Sequence, residues 1–399
     1  MVDRLSSLQI FQSGISNILD RQVELARTQE QLSTGRRILS PSDDPSAAVK
    51  ILDLEEDVRL VDQYARNASL ASGQLALEES TLGEVVNVLQ RVRELTVQAN
   101  NATQSPETRA AIAVEIDSRL DELVALANTR DGNDEFIFGG FQSLNQPFSR
   151  GGDTVSFAGD DGQRFLDISA GAQIAVRDSG SRVFLSPRAG NGQFDFSAGV
   201  TNSGSAVVHS SSADNSYVRD DYTVSFLPTD PPSYQVTDSG AAVVAAGTYT
   251  SGEAISFAGA TLRIEGEPDA GDSFLVEAAP RQSIFTTIAE IATALNGASG
   301  GPASDTSVNN ALASGLNNLD QAIGNVLEVQ SEVGVRLNRI DSQQSINEDF
   351  RLQLQETLSD VQDLDYAEAI SRLNLQLVAL QAAQQTYVRV QGLSLFNFL

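Results

Sequence analysis

Residues 32–46 read LSTGRRILSPSDDPS, and the reading of this stretch decides the fold. Upstream and downstream lie segments with apolar residues at alternating steps of three and four, the spacing of a helix seam. Within the stretch, Gly35, Pro41 and Pro45 prevent the two segments from being one helix. Gly35 is placed to end a helix in a left-handed conformation. Asp44 before Pro45 reads as an N-cap with proline at the first helical position. The stretch is therefore a hinge between two coiled-coil segments.

Outward from the hinge, the upstream helix covers residues 5–33, with Leu8, Phe11, Ile15, Ile18, Gln22, Leu25, Gln29 and Leu32 on the seam and Leu19, Val23 and Ala26 broadening it. So apolar a face cannot stand alone in water and needs a partner. The downstream helix runs from Pro45 to about Asn100, its seam interrupted at Ser72 and Glu79. Ser105-Pro106 starts a third helix, which a short turn makes antiparallel to the second. Residues 131–281 hold 20 acidic against 8 basic side chains and change to turns and alternation. Strands are expected at 136–138, 154–157, 164–168, 183–185, 222–227, 254–257, 261–264 and 273–276, and a Ser/Gly/Asn-rich linker at 200–216. VSFAG at 155–159 returns as ISFAG at 255–259, through either two related β units or convergent hairpin chemistry. Helix resumes at Ser283, breaks at 296–304, and restarts a seam through Leu312, Leu319, Val326, Val333 and Ile340. The last helix begins near Asp365, with Ile370, Leu373, Leu377, Leu380, Gln384 and Tyr387 on its seam. It matches the first helix as a partner from the opposite chain end.

The expected fold is α+β: an elongated coiled-coil bundle built from both chain ends, with an inserted β-rich domain. Its expected parts are 1–46 (terminal segment and hinge), 47–130 (long helical hairpin), 131–282 (β-rich region, either one unit or two split near 200–216), 283–364 (return helices) and 365–399 (C-terminal helix). Sparse aromatics, 6% with no Trp, suit aliphatic helix seams better than one thick core.

Composition also narrows function. A net charge of −27 with a single lysine, Lys50, disfavours nucleic-acid binding, since phosphate backbones are repelled. The first 50 residues carry six basic and six acidic groups, and a neutral apolar end suits packing between copies. With no cysteine, disulfides, thiolate metal sites and cysteine nucleophiles are excluded. No apolar run reaches the ~20 residues that span a bilayer, and the start MVDRLSSLQIFQSG has no uninterrupted apolar core, so neither a membrane role nor a general secretory signal is expected. The one histidine, His209, lies in VVHSSSADNS, expected to be a mobile loop and not a catalytic base. Asp160-Asp161 and Asp269–Asp272 lack the spacing of a calcium loop and read as turn chemistry. No cofactor, metal or enzymatic site is expected.

Several motifs carry a resemblance. Leu32, Ser33, Gly35, Arg37, Ile38, Ser40, Asp43 and Asp44 resemble the N-terminal signature of the bacterial flagellin superfamily, with Leu39 where flagellins usually carry Asn. The segment ANTRDGNDEFIFGGFQSLNQPF at 127–148, VGVRLNR at 333–339, DYAEAI at 365–370 and GLSLF at 392–396 are more similar to its hook-associated protein 3 branch. That resemblance implies a structural protein at the hook–filament junction, exported to the extracellular flagellum without a cleaved signal. It implies a ring of copies, contact with the first hook-associated protein and with flagellin, and an export chaperone on the C-terminal helix. The assembly interface it implies comprises Leu8, Phe11, Ile15, Ile18, Leu25, Leu32, Arg37, Asp43, Asp44, Ile370, Leu373, Leu377, Leu380, Tyr387, Leu393, Leu395 and Phe396. The alternatives are a flagellin, favoured by the shared terminal helices, and a cytosolic coiled-coil adaptor, favoured by the missing signal.

Overall fold

The computed structural model describes residues 7–101 and 103–392. It holds six α-helices among these: α1 (Ser7–Thr34), α2 (Pro45–Ala99), α3 (Pro106–Ala127), α4 (Ile284–Asn296), α5 (Pro302–Gln362) and α6 (Tyr366–Gly392). Between α3 and α4 lie β1 (Phe148–Gly151), β2 (Thr154–Phe157), β3 (Phe165–Ser169), β4 (Ala172–Ala175), β5 (Phe194–Ala198), β6 (Val207–Ala213), β7 (Tyr222–Leu227), β8 (Ser233–Thr237), β9 (Val243–Thr248), β10 (Ala254–Phe257), β11 (Ala260–Glu265) and β12 (Ser273–Ala278). The chain divides into two compact units, residues 67–342 and the two flanking segments, and α2 and α5 contribute to both.

In the 67–342 unit, α2 and α5 lie antiparallel, Arg93 pairing with Asp320 and Gly83 facing Gln330. The apolar face of α2 here runs through Ala68, Ala71, Leu75, Leu82, Val85, Leu89 and Val92, all buried. Leu319, Val326 and Val333 of α5 and Ile112, Ile116, Leu120 and Leu123 of α3 close on it. Ser105 caps α3 through a bond from the Thr108 N–H to its Oγ, 3.3 Å, with proline following. The end of α3 is fixed by Asn128, whose side chain donates to the Phe148 carbonyl at 2.9 Å and accepts the Phe148 N–H at 3.0 Å.

Two expected strands are not strands. Phe136–Phe138 is a buried turn: only Phe136 makes a ladder contact, an isolated bridge to Arg130, while Phe138 packs edge-on against Phe184. Val183–Leu185 belongs to a single π-helical turn, Ser181–Leu185, that presents Phe184 to Phe138, Phe148 and Phe285. Both runs are apolar because their side chains fill one aromatic core, and a turn buried on several sides has the same composition as a strand.

The β region divides by core. β1–β2 and β3–β4 are two-stranded hairpins whose apolar residues join the helical core. From Phe194 to Val276 a separate core forms between a five-stranded sheet, β5-β12-β7-β8-β9, and a three-stranded one, β10-β11-β6. All pairings are antiparallel. The change of core thus falls between Leu185 and Phe194, and the expected linker at 200–216 instead contains β6, which carries His209. The repeated pentapeptide serves two different settings. Ala258 and Gly259 both take positive φ to turn β10 into β11, whereas Ala158 donates to the Pro147 carbonyl at 2.8 Å and Gly159 needs no left-handed backbone. The two copies also face different cores, which fits convergence.

Candidate assembly interface

The second unit holds α1, the hinge, the start of α2, the end of α5 and α6. α1 and α6 pack antiparallel: Gly14 faces the Tyr387 ring and Gly35 faces the Tyr366 hydroxyl. At the hinge, Gly35 takes φ +70° and its N–H closes onto the Gln31 carbonyl at 2.8 Å, ending α1 as glycine at this position permits. A Cβ on Gly35 would stand 2.8 Å from the Tyr366 hydroxyl oxygen, so the close approach of α6 also requires glycine.

The hinge is fastened to the chain's other end. The Leu364 N–H donates to the Gly35 carbonyl at 2.9 Å and the Arg37 N–H to the Gln362 carbonyl at 2.8 Å, framing an antiparallel bridge between Arg36 and Asp363. The Arg37 guanidinium donates to the Val361 carbonyl at 2.8 Å, covering an orphan acceptor in the last turn of α5. Gln31 donates from Nε2 to the Arg37 carbonyl at 2.6 Å. Asp43 accepts the Leu39 and Ser40 N–H groups, each at 3.1 Å, and pairs with Arg27 of α1. Burial pushes the Asp43 carboxyl up, but those two N–H donors, with the Ser40 hydroxyl and Arg27, outweigh it and hold it below the usual carboxylate range. Asp44 caps α2, accepting the Ala47 N–H at 3.0 Å and the Ser46 N–H at 3.1 Å. The Ala47 N–H and the Ser46 hydroxyl hold its carboxyl low as well. Asp365 repeats the device for α6, accepting from Ala367 and Glu368.

The expected interface residues divide. Ile18, Leu25 and Leu32 of α1 and Leu373, Leu380 and Tyr387 of α6 are half-buried along the α1–α6 layer. Ile15, Ile370 and Leu377 are exposed instead of seated in the pair. Arg37, Asp43 and Asp44, expected at a contact between copies, are engaged within their own chain. The side chains of Leu8 and Phe11 and the whole of Leu393, Leu395 and Phe396 lie outside the described residues. Leu19 and Val23 on α1, expected to broaden the seam, are 54% and 68% exposed, and Leu375 and Val378 on α6, which the seam left out, are 69% and 64% exposed. They make a second, outward row, and the apolar run at 373–380 is wider than one seam requires. Clustered exposure of this kind marks a surface that another surface covers.

The other sequence candidates hold no chemistry of their own. Asp160 accepts the Phe141 and Gly162 N–H groups, both at 2.8 Å, and Asp272 accepts those of Ser203, Gly204 and Asp269 at 2.9–3.0 Å. Both are turn-forming carboxylates. His209 is solvent-exposed, its Nδ1 3.8 Å from Glu265. No cluster of three potential metal ligands occurs among the described residues, and no described helix is long and apolar enough to cross a membrane.

Comparison with known proteins matches this arrangement. Residues 5–143 match the bacterial flagellin N-terminal helical region, and residues 316–399 match the C-terminal helical region. The chain is 27% identical over 395 residues to flagellar hook-associated protein 3 of Escherichia coli strain K12, covering 99% of each. It is 32% identical to the crystal structure of flagellar hook-associated protein-3 from Legionella pneumophila, with a TM-score of 0.75, covering 78% of this chain and 98% of that one. Flagellin of E. coli strain K12 is 40% identical but over 108 residues only, 27% of this chain and 22% of the flagellin. Likeness to flagellin is confined to the two terminal regions, whereas likeness to the hook-associated proteins covers nearly the whole chain, β region included, and the chain therefore belongs to the flagellar hook-associated protein 3 family.

Proposed function

We propose that this chain is a structural, non-enzymatic junction subunit of the bacterial flagellum, assembling through α1 and α6 into a ring of copies between the hook-associated region and the flagellin filament. The observation that carries the reading is the α1–α6 layer, which leaves Leu19, Val23, Leu375 and Val378 outward. A two-helix layer apolar on both sides is stable only when a neighbour supplies its second cover. In the assembled state the first hook-associated protein would lie on one side of the ring and flagellin on the other. Before assembly an export chaperone would cover the C-terminal helix, and export would deliver the chain outside the cell. A flagellin role is less well supported, because the likeness to flagellin lies in the terminal regions while that to hook-associated protein 3 covers 99% of the chain.

Electron microscopy of cells lacking the gene, with flagellin assayed in the medium, tests the proposal. Hooks without filaments and unpolymerised flagellin in the medium are expected. Normal filaments would overturn the junction role.

A further inference from the structure

Glu78 of α2 is fully buried in the 67–342 unit, in a place that neither the helix seam nor the proposed assembly requires a carboxyl. Asp178, Arg336 and Arg177 act on it electrostatically, and these belong to a set of four arginines and four other carboxylates. Arg164 pairs with Glu135, Arg177 with Asp131 and Glu135, Arg182 with Asp178 and Glu332, and Arg336 with Asp178 and Glu332. These eight groups come from the turn after α3, the segment around β3 and the π-helical turn, and α5. They form two separate clusters, Arg164 and Arg177 with Asp131 and Glu135, and Arg182 and Arg336 with Asp178 and Glu332, and in each the charges balance. The Asp178 side chain is itself fully buried, and Glu78 makes no ion pair with either cluster. Its Oε1 accepts the Asp178 N–H at 3.0 Å, while its Oε2 is buried without a hydrogen-bond partner. A fifth carboxylate would add an uncompensated buried charge beside Asp178, at a cost that protonation removes.

We propose that Glu78 is a proton-held latch, seated as a neutral acid that fastens the segment from Arg177 to Arg182 to α2 and α5, and that loss of its proton loosens that segment. Burial first and the Asp178 charge second push the Glu78 carboxyl up to about 8. An unfolded chain releases this proton near the ordinary carboxylate range, so the folded state holds one more proton from there up to about pH 8. Stability must then fall as pH rises across that interval. Against the pull of burial, their arginines hold Glu135 and Glu332 below the ordinary carboxylate range, whereas burial also raises Asp195 and Glu290 elsewhere in the chain, so the share of the slope that belongs to Glu78 is the part that Glu78→Gln removes.

Two measurements on the full chain decide it. Infrared spectra at neutral pH should contain the carbonyl band of an un-ionised carboxylic acid, lost in Glu78→Gln and titrating away in the wild type at alkaline pH. Melting temperature should fall as pH rises from the ordinary carboxylate range to about pH 8 in the wild type, level off above it, and be flatter over the same interval in Glu78→Gln. No acid band at neutral pH, or equal pH slopes in the two proteins, would overturn the latch. If Glu78→Gln does not fold, the wild-type infrared titration alone is decisive: the band present at neutral pH and lost at alkaline pH supports the latch, and its absence at neutral pH overturns it.

Discussion

Gly35 holds two requirements at one atom: a backbone at φ +70° and space for the Tyr366 hydroxyl. Gly35→Ala should cost about 1–2 kcal/mol from backbone conformation alone, and more from the clash, measured by denaturant unfolding. Asp43, with Asp44, supplies the hinge's pH dependence. Its folded carboxyl lies below its ordinary value of 3.8, so its contribution is present above that value and disappears as pH falls through the folded one. Asp43→Asn should therefore lose the acid-side part of the unfolding profile and leave the neutral part level. Gly35 and Asp44-Pro45 were legible because glycine termination and proline at the first turn leave signatures within a few residues. Glu78 was not. A glutamate in a long helix reads as solvated, and the seam drawn through Glu79 put the interruption one residue late. Only the arginines at 177, 182 and 336, distant in sequence, define its surroundings.

At the scale of elements, helices were easier to read than strands. α3, α4 and α6 begin where Ser105, Ser283 and Asp365 predict; at α3 and α6 cap and periodicity agree, whereas Ser283 makes no side-chain capping bond and α4 follows periodicity alone. β7 and β10 match their expected bounds, since alternation with one buried face is a two-residue signal. β6 hid in a Ser-rich stretch whose outward side chains resemble a linker, and β8 and β9 carry too few large apolar residues to stand out. The apolar run at 373–380 has a different lesson, as more apolar residues than one seam can seat imply two covers. Replacing Leu377 and Leu380 by Asp should abolish assembly while leaving the separate core around Phe274 and Val224 folded. Light scattering would report the first effect, and near-ultraviolet circular dichroism from the tyrosines of that core the second. Unaltered association would remove α6 from the interface.

For the whole molecule, the proposed assembly would bring together chains that each carry a formal charge of −27. Repulsion between copies is long-ranged at low salt and falls off over about 8 Å at physiological ionic strength. Self-association should therefore strengthen as salt rises from about 0.01 M to about 0.15 M, a trend that sedimentation can follow. An interface built on ion pairs between copies would show the opposite trend. The division of labour between neutral ends and an acidic middle was visible in the order of the charges. The meeting of residues 35–37 with 361–364 was not, because backbone-to-backbone bonds leave almost no trace in side-chain identity.

That meeting limits how the chain can be recombined. With Gly35, Arg36 and Arg37 stitched to Val361, Gln362, Asp363 and Leu364, the first and last helices are one module encoded at two distant places. Grafting either helix alone from a relative would mismatch Gly14 against Tyr387 and Gly35 against Tyr366. A working chimera must exchange both ends of the reading frame together.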